Sequence, residues 1–147
     1  RVKFLTSVEH NAEWADRVRA MLKENRISNV DLVQQPKLTG VHPEIDSSGY
    51  VQVTRRFQPE SLNFVVIDGI YRAQCARRSL PLLKSHAMLI IDNVNKALPG
   101  NSRAPNSRTP EQGADGEVWS EVWSTIQHWR YFWTGNGVSD TAIFFKP

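Results

Sequence analysis

The 147 residues carry a net charge of +3, 40% apolar residues, five tryptophans and one cysteine, Cys75. This apolar content excludes a disordered chain, and the length suits one domain. The basic excess is weaker than a nucleic-acid binder carries, and a lone cysteine excludes an internal disulfide or a cysteine zinc cluster, which points to a reducing, cytoplasmic setting.

In chain order, Val2 to Glu9 reads as a buried strand. His10 or Asn11 can cap the helix that follows, over about residues 11–25, with Glu13 near its positive end. Trp14, Val18, Met21 and Leu22 form its apolar stripe. Val30 to Val33 is a second strand, stopped by Pro36. Residues 37–61 read as loop, punctuated by Gly40, Pro43, Gly49 and Pro59, with Tyr50 to Val53 as a short strand inside it.

Leu62 to Ile67 is a strongly apolar strand closed by Asp68-Gly69. Tyr71 to Leu83 reads as a helix that Pro81 kinks or stops. Ala87 to Ile91 is another buried strand, ending in Asp92-Asn93. Residues 97–116 are rich in Pro, Gly, Ser, Asn and Arg and read as a flexible loop. Glu117 to Gln127 is a helix, and two strands, Trp129 to Thr134 and Thr141 to Phe145, flank the hairpin signal Gly135-Asn136-Gly137.

The order β-α-β-β-α-β-α-β-β implies an α/β fold with a largely parallel sheet and an antiparallel closing hairpin. In such sheets, ligands sit beyond the carboxyl ends of the strands. Three strands end in oxygen-bearing side chains, at Glu9, at Asp68 and at Asp92-Asn93, and alternation should bring them to one edge. No apolar run reaches the roughly 18 residues that a membrane span needs. Arg1 to Val8 is too short, and too mixed with polar residues, to read as a signal peptide.

Four stretches together resemble the class I S-adenosylmethionine-dependent methyltransferases. They are Thr6 to Ala15 (TSVEHNAEWA), Phe64 to Gly69 (FVVIDG), Leu80 to Lys84 followed by Leu89 to Asn93, and the closing hairpin. The resemblance covers nearly the whole chain as one domain, residues 1–147, from the family's second strand to its seventh. It implies a three-layer, Rossmann-like sheet ordered 3-2-1-4-5-7-6, with strand 7 antiparallel. It also implies that the family's first strand, its glycine-rich loop and its first helix are missing. The missing strand would lie centrally, so a chain of this extent should expose two strand edges and be unstable, or associate as a homo-oligomer through them.

By the same resemblance, Glu9 accepts the ribose hydroxyls of S-adenosylmethionine, with His10 beside it. A carboxylate suits a diol because it accepts two charge-assisted hydrogen bonds. A helix-capping acid at a strand end is the structural alternative. Asp68 would face the cofactor and the acceptor and serve as a base. Asp68, Asp92 and Asn93 also resemble the metal triad of catechol-type O-methyltransferases, hard oxygen ligands for Mg²⁺ or Ca²⁺. Asp68-Gly69 and Asp92-Asn93 are equally good turn pairs.

Arg72 reads as a solvated first-turn residue that could pair with Asp68. The doublets Arg55-Arg56 and Arg77-Arg78 read as solvent-facing charge. Trp119 and Trp123 pack on one helix face. Trp129, Tyr131 and Trp133 share a strand face that suits either core or an aromatic wall for an acceptor. Cys75 reads as a small buried hydrophobe. The expected activity is methyl transfer to a small-molecule hydroxyl. The rivals are a non-catalytic binding or oligomerisation module and an NAD-dependent oxidoreductase, which also uses an acid after its second strand.

Overall fold

A computed structural model of the chain describes residues 2–40 and 44–147. Pro43, one of the loop signals, lies outside the described residues. The chain divides into two compact units, Arg1–Val53 and Thr54–Pro147.

In the first unit, β1 (Leu5–Glu9), α1 (Ala12–Glu24) and β2 (Val30–Gln34) form a strand-helix-strand motif. The strands are parallel and in register from Leu5 opposite Val30 to Glu9 opposite Gln34. β1 starts later than the sequence suggests. The Asn29 carboxamide donates to the carbonyls of Val2 and Lys3, so a side chain rather than a ladder holds that stretch. Asn11 caps α1, its Oδ1 accepting from Trp14 N–H at 2.9 Å. Glu13 in the first turn and Lys23 in the last complement the helix dipole.

The inward face of α1 is rotated from the expected stripe. Ala15 is buried and Val18 and Leu22 are half-buried, whereas Trp14 and Met21 are exposed. Tyr50 to Val53 is not a strand. Gly49–Gln52 forms a short helix, α2, and Val53–Arg56 continues as a 3₁₀ turn. The Ser48 hydroxyl accepts from Val51 N–H, and this cap turns a β-branched run into a helical one. Tyr50 then reaches β1, its hydroxyl donating to Val8 O at 3.2 Å.

The second unit holds β3 (Leu62–Ile67), α3 (Arg72–Ser79), β4 (Leu83–Asp92), α4 (Gly116–Ile126), β5 (Arg130–Gly135) and β6 (Asp140–Phe145). Its sheet runs β3-β4-β6-β5. β3 and β4 are parallel, and β6 is antiparallel to both β4 and β5. Within the first unit the pair β1-β2 matches the 2-3 neighbours of the expected strand order, and within the second the order β3-β4-β6-β5 matches its 4-5-7-6 stretch. α3 ends at Ser79, where Leu80–Leu82 tightens to a 3₁₀ turn with Pro81 in its first turn.

Ile67, Leu83, Leu89, Ile91, Trp119, Val122, Ile126 and Phe144 belong to one buried cluster. α4 contributes at positions i, i+3 and i+7, namely Trp119, Val122 and Ile126. β6 alternates buried and half-buried along its length. Trp133 Nε1 donates to the buried Asp140 carboxylate at 2.7 Å, which ties the hairpin across its own turn.

Residues 97–116 contain one 3₁₀ turn, Pro110–Gln112, closed by a capping box between Thr109 and Gln112. Arg108 donates to Gly113 O, Gln112 O and Asp115 Oδ1. Asn95, fully buried, donates to Ser107 Oγ at 3.0 Å and accepts from Asp140 N–H at 3.0 Å. That one side chain joins the segment to β6. No helix among the described residues is long and apolar enough to cross a membrane.

Candidate functional site

In the first unit, Glu9 ends β1 and its carboxylate is oriented by the turn that follows. The N–H groups of His10 and Asn11 both donate to Oε1 at 2.7 Å. His10 Nδ1 lies 3.1 Å from the same oxygen, and its ring meets Tyr50 edge-on with centroids 6.5 Å apart. Fixing one oxygen on the backbone leaves Oε2 able to accept from a ligand, and the side chain is 21% exposed. A carboxylate held in this way fits a ribose diol. His10 is a support of that carboxylate in this geometry, packed between Glu9 and Tyr50.

In the second unit, β3 and β4 run parallel with Ile67 opposite Ile91, so Asp68 and Asp92 leave the sheet side by side. Asp92 Oδ1 accepts from the Thr141 hydroxyl at 2.7 Å, and Thr141 is its cross-strand partner on β6. Asn93 adopts the left-handed conformation at φ 49°, which turns the chain sharply after β4.

The two acids diverge electrostatically. Partial burial pushes the Asp68 carboxyl above the ordinary carboxylate range, although the side chain stays 65% exposed. The adjoining, hydrogen-bonded Asp92 carboxylate adds to this and Arg72 opposes it. The Thr141 hydroxyl, above all, holds Asp92 below that range. Asp92 is therefore the more firmly held anion of the pair, and Asp68 is the one that takes up a proton first as pH falls.

Between them lies Arg72, which the sequence reading left in solvent. Its guanidinium donates to Asp68 O, Asp68 Oδ1, Gly69 O, Asp92 O and Asn93 Oδ1. This bears on the metal expectation. Asp68 Oδ1 and Asn93 Oδ1 accept from a guanidinium, and Asp92 Oδ1 accepts from Thr141. Among the described residues no group of three His, Cys, Asp or Glu is placed to hold a metal. Asp68, Asp92 and Asn93 do come together, but they do not fit a divalent ion with Arg72 in place.

The sequence shows the Arg72–Asp68 pair but not the wider reach of Arg72, nor Thr141. Arg72 stands four residues after Asp68 at a helix start, a pairing signal that was visible. Its contacts with Asp92 and Asn93 arise only once β3 pairs with β4. Thr141 had no local signal at all.

Tyr131 and Trp133 pack edge-on at 6.4 Å and, with Pro99 to Ser102, line a cavity of about 290 Å³. Trp129 does not line it. Asp92 pairs with Thr141, which pairs with Thr134, whereas Trp133 stands in the next row, opposite Ala142, and alternation places its side chain on the other face of the sheet. At the other end of this sheet, Arg55, Arg77 and Arg78 border an open groove of about 500 Å³ with Phe57, Pro59 and Leu82. Arg77 is paired with Glu121 at 3.0 Å.

No family model and no curated protein matches the sequence. Among solved structures, the chain is similar to a protein from Corynebacterium glutamicum. The two are 14% identical at a TM-score of 0.61, over 98% of this chain and 61% of that one. It is also similar to a methyltransferase from Geobacter sulfurreducens, 12% identical at 0.60, over 98% of this chain and 59% of that one. A methyltransferase-like protein from Silicibacter pomeroyi is 19% identical at 0.56, over 97% of this chain and 68% of that one.

The fold is the Rossmann-like methyltransferase fold. At these identities the likeness establishes architecture, the one that the resemblance of the four sequence stretches implies. The chain spans about three fifths of the length of the Corynebacterium and Geobacter proteins.

Proposed function

We propose that this chain forms the larger part of an S-adenosylmethionine-dependent methyltransferase that modifies a hydroxyl of a small molecule. The observation that carries the reading is Glu9, a strand-end carboxylate with one oxygen pinned by two backbone N–H groups and the other open. The methyltransferase fold supports it. S-adenosylmethionine would supply an electrophilic methyl group on a sulfonium.

The chain's own residues have three tasks. Glu9 accepts the ribose hydroxyls through Oε2 and so orients the nucleoside. Asp68, exposed and raised in pKa by its surroundings, takes the acceptor's hydroxyl proton. Tyr131 and Trp133 offer an aromatic wall to the acceptor, with Pro99 to Ser102 closing one side. Positioning and exclusion of water contribute most to such a reaction, and the base is secondary.

Calorimetric titration with S-adenosylhomocysteine and, separately, with NAD tests the reading. We expect saturable binding of the first, weakened by about 10- to 100-fold in Glu9→Gln, the scale of a lost charge-assisted hydrogen bond. Binding of NAD instead would assign an oxidoreductase. Binding of neither would leave a non-catalytic module.

A further inference from the structure

The cluster at the ends of β3 and β4 contains a cation of its own. Arg72, in the first turn of α3, folds back over both strand ends. Its guanidinium donates to Asp92 O at 2.7 Å, Asp68 O at 2.8 Å, Gly69 O at 2.9 Å, Asn93 Oδ1 at 3.1 Å and Asp68 Oδ1 at 3.2 Å. These are carbonyl, amide and carboxylate oxygens, the donors that hard divalent cations choose. The side chain is only 27% exposed, so water does not compete freely for those bonds. The planar fork of a guanidinium satisfies several acceptors together.

Without that charge, Asp68 and Asp92 would face each other as two adjoining acids with no cation of the cluster between them. With it, a divalent ion among the same oxygens would stand within reach of a like charge, and that repulsion is strong at contact distance.

We propose that Arg72 is the resident cation of this site, a positioning residue that replaces a divalent metal and joins the ends of β3 and β4. Its removal converts the same oxygens into a divalent-cation site. The inference stands apart from the methyl-transfer reading, since it concerns only which cation the cluster holds.

Manganese titration of the full chain, followed by electron paramagnetic resonance, tests it. The wild type is expected to show no saturable Mn²⁺ uptake that depends on Asp68. Arg72→Ala is expected to bind Mn²⁺ at least about tenfold more tightly, and Asp68→Asn in that background should abolish the gain. Arg72→Lys keeps a cation in the cluster and should exclude Mn²⁺ as the wild type does, a result that a merely structural role would not give. Saturable Mn²⁺ binding by the wild type that Asp68→Asn removes would overturn the proposal. So would a folded Arg72→Ala, checked by circular dichroism, that gains no binding. Should Arg72→Ala lose its fold, the wild-type, Asp68→Asn and Arg72→Lys titrations decide the matter alone.

Discussion

The two units carry their candidate residues on very different foundations. In Thr54–Pro147, the acids leave a four-stranded sheet backed by a cluster that includes Leu89, Ile91, Val122 and Phe144, all fully buried. Among the described residues of Arg1–Val53, the buried apolar ones are Ala15, Tyr50, Val51 and Val53, and every residue of β1 and β2 is only half-buried. Val2, Phe4, Trp14, Met21 and Ile27 of that unit are exposed. Asp92 is thus held by packed strands and a cross-strand hydroxyl, whereas Glu9 is held by the local turn that caps α1. Changes near Asp92 should report on stability as well as chemistry, and changes near Glu9 mainly on binding.

Truncation of the second unit's core is the strongest way to break this comparison. Phe144→Ala should cost about 3–5 kcal/mol in denaturant unfolding, whereas Val18→Ala on half-buried α1 should cost less than about 1.5 kcal/mol. Equal losses would show that the two units do not differ as described. Next in size is Asn95→Ala, which leaves Asp140 N–H without its acceptor and removes one of the hydrogen bonds that hold Ser107. It should cost about 1–3 kcal/mol and speed proteolysis within residues 97–116.

Val66, 52% exposed on the edge strand β3, offers a test of association. Val66→Lys should lower any self-association seen by analytical ultracentrifugation, because a charge on an open edge opposes strand pairing. An unchanged sedimentation profile in a self-associating sample would place the contact elsewhere. The smallest effect concerns Glu13, exposed and paired with Arg17. Glu13→Gln should change stability by at most about 0.5 kcal/mol.

Cys75 sharpens the same contrast chemically. Burial pushes its thiol up from 9.0 to about 12. The native protein should resist alkylation at pH 8 and react fully once unfolded. The sign of the linkage follows. Between those two values the unfolded chain loses a proton that the folded chain keeps, so this thiol lowers stability as pH rises above 9.0. Rapid native alkylation would contradict the burial.

The sequence made the strongest elements plain because their signals were local. Leu62–Ile67 is an unbroken apolar run, Pro81 stops α3 where helix geometry fails, and Asn11 supplies an N-cap in the expected place. Strand ends could be read as ligand positions for the same reason. Tyr50 to Val53 misled because aromatic and β-branched residues suit strands, and the Ser48 cap that overrides them is one hydroxyl. The α1 stripe was shifted because periodicity counts large residues, while packing chose Ala15. The Arg72 cluster was hidden more deeply. Its partners lie 20 and 21 residues away and meet it only through the pairing of β3 with β4.

Hydrogen–deuterium exchange with and without S-adenosylhomocysteine tests the central claim most directly. We expect slowed exchange at His10 and Asn11, beside the Glu9 carboxylate. Slowed exchange confined to other segments, or none at saturating ligand, would contradict it.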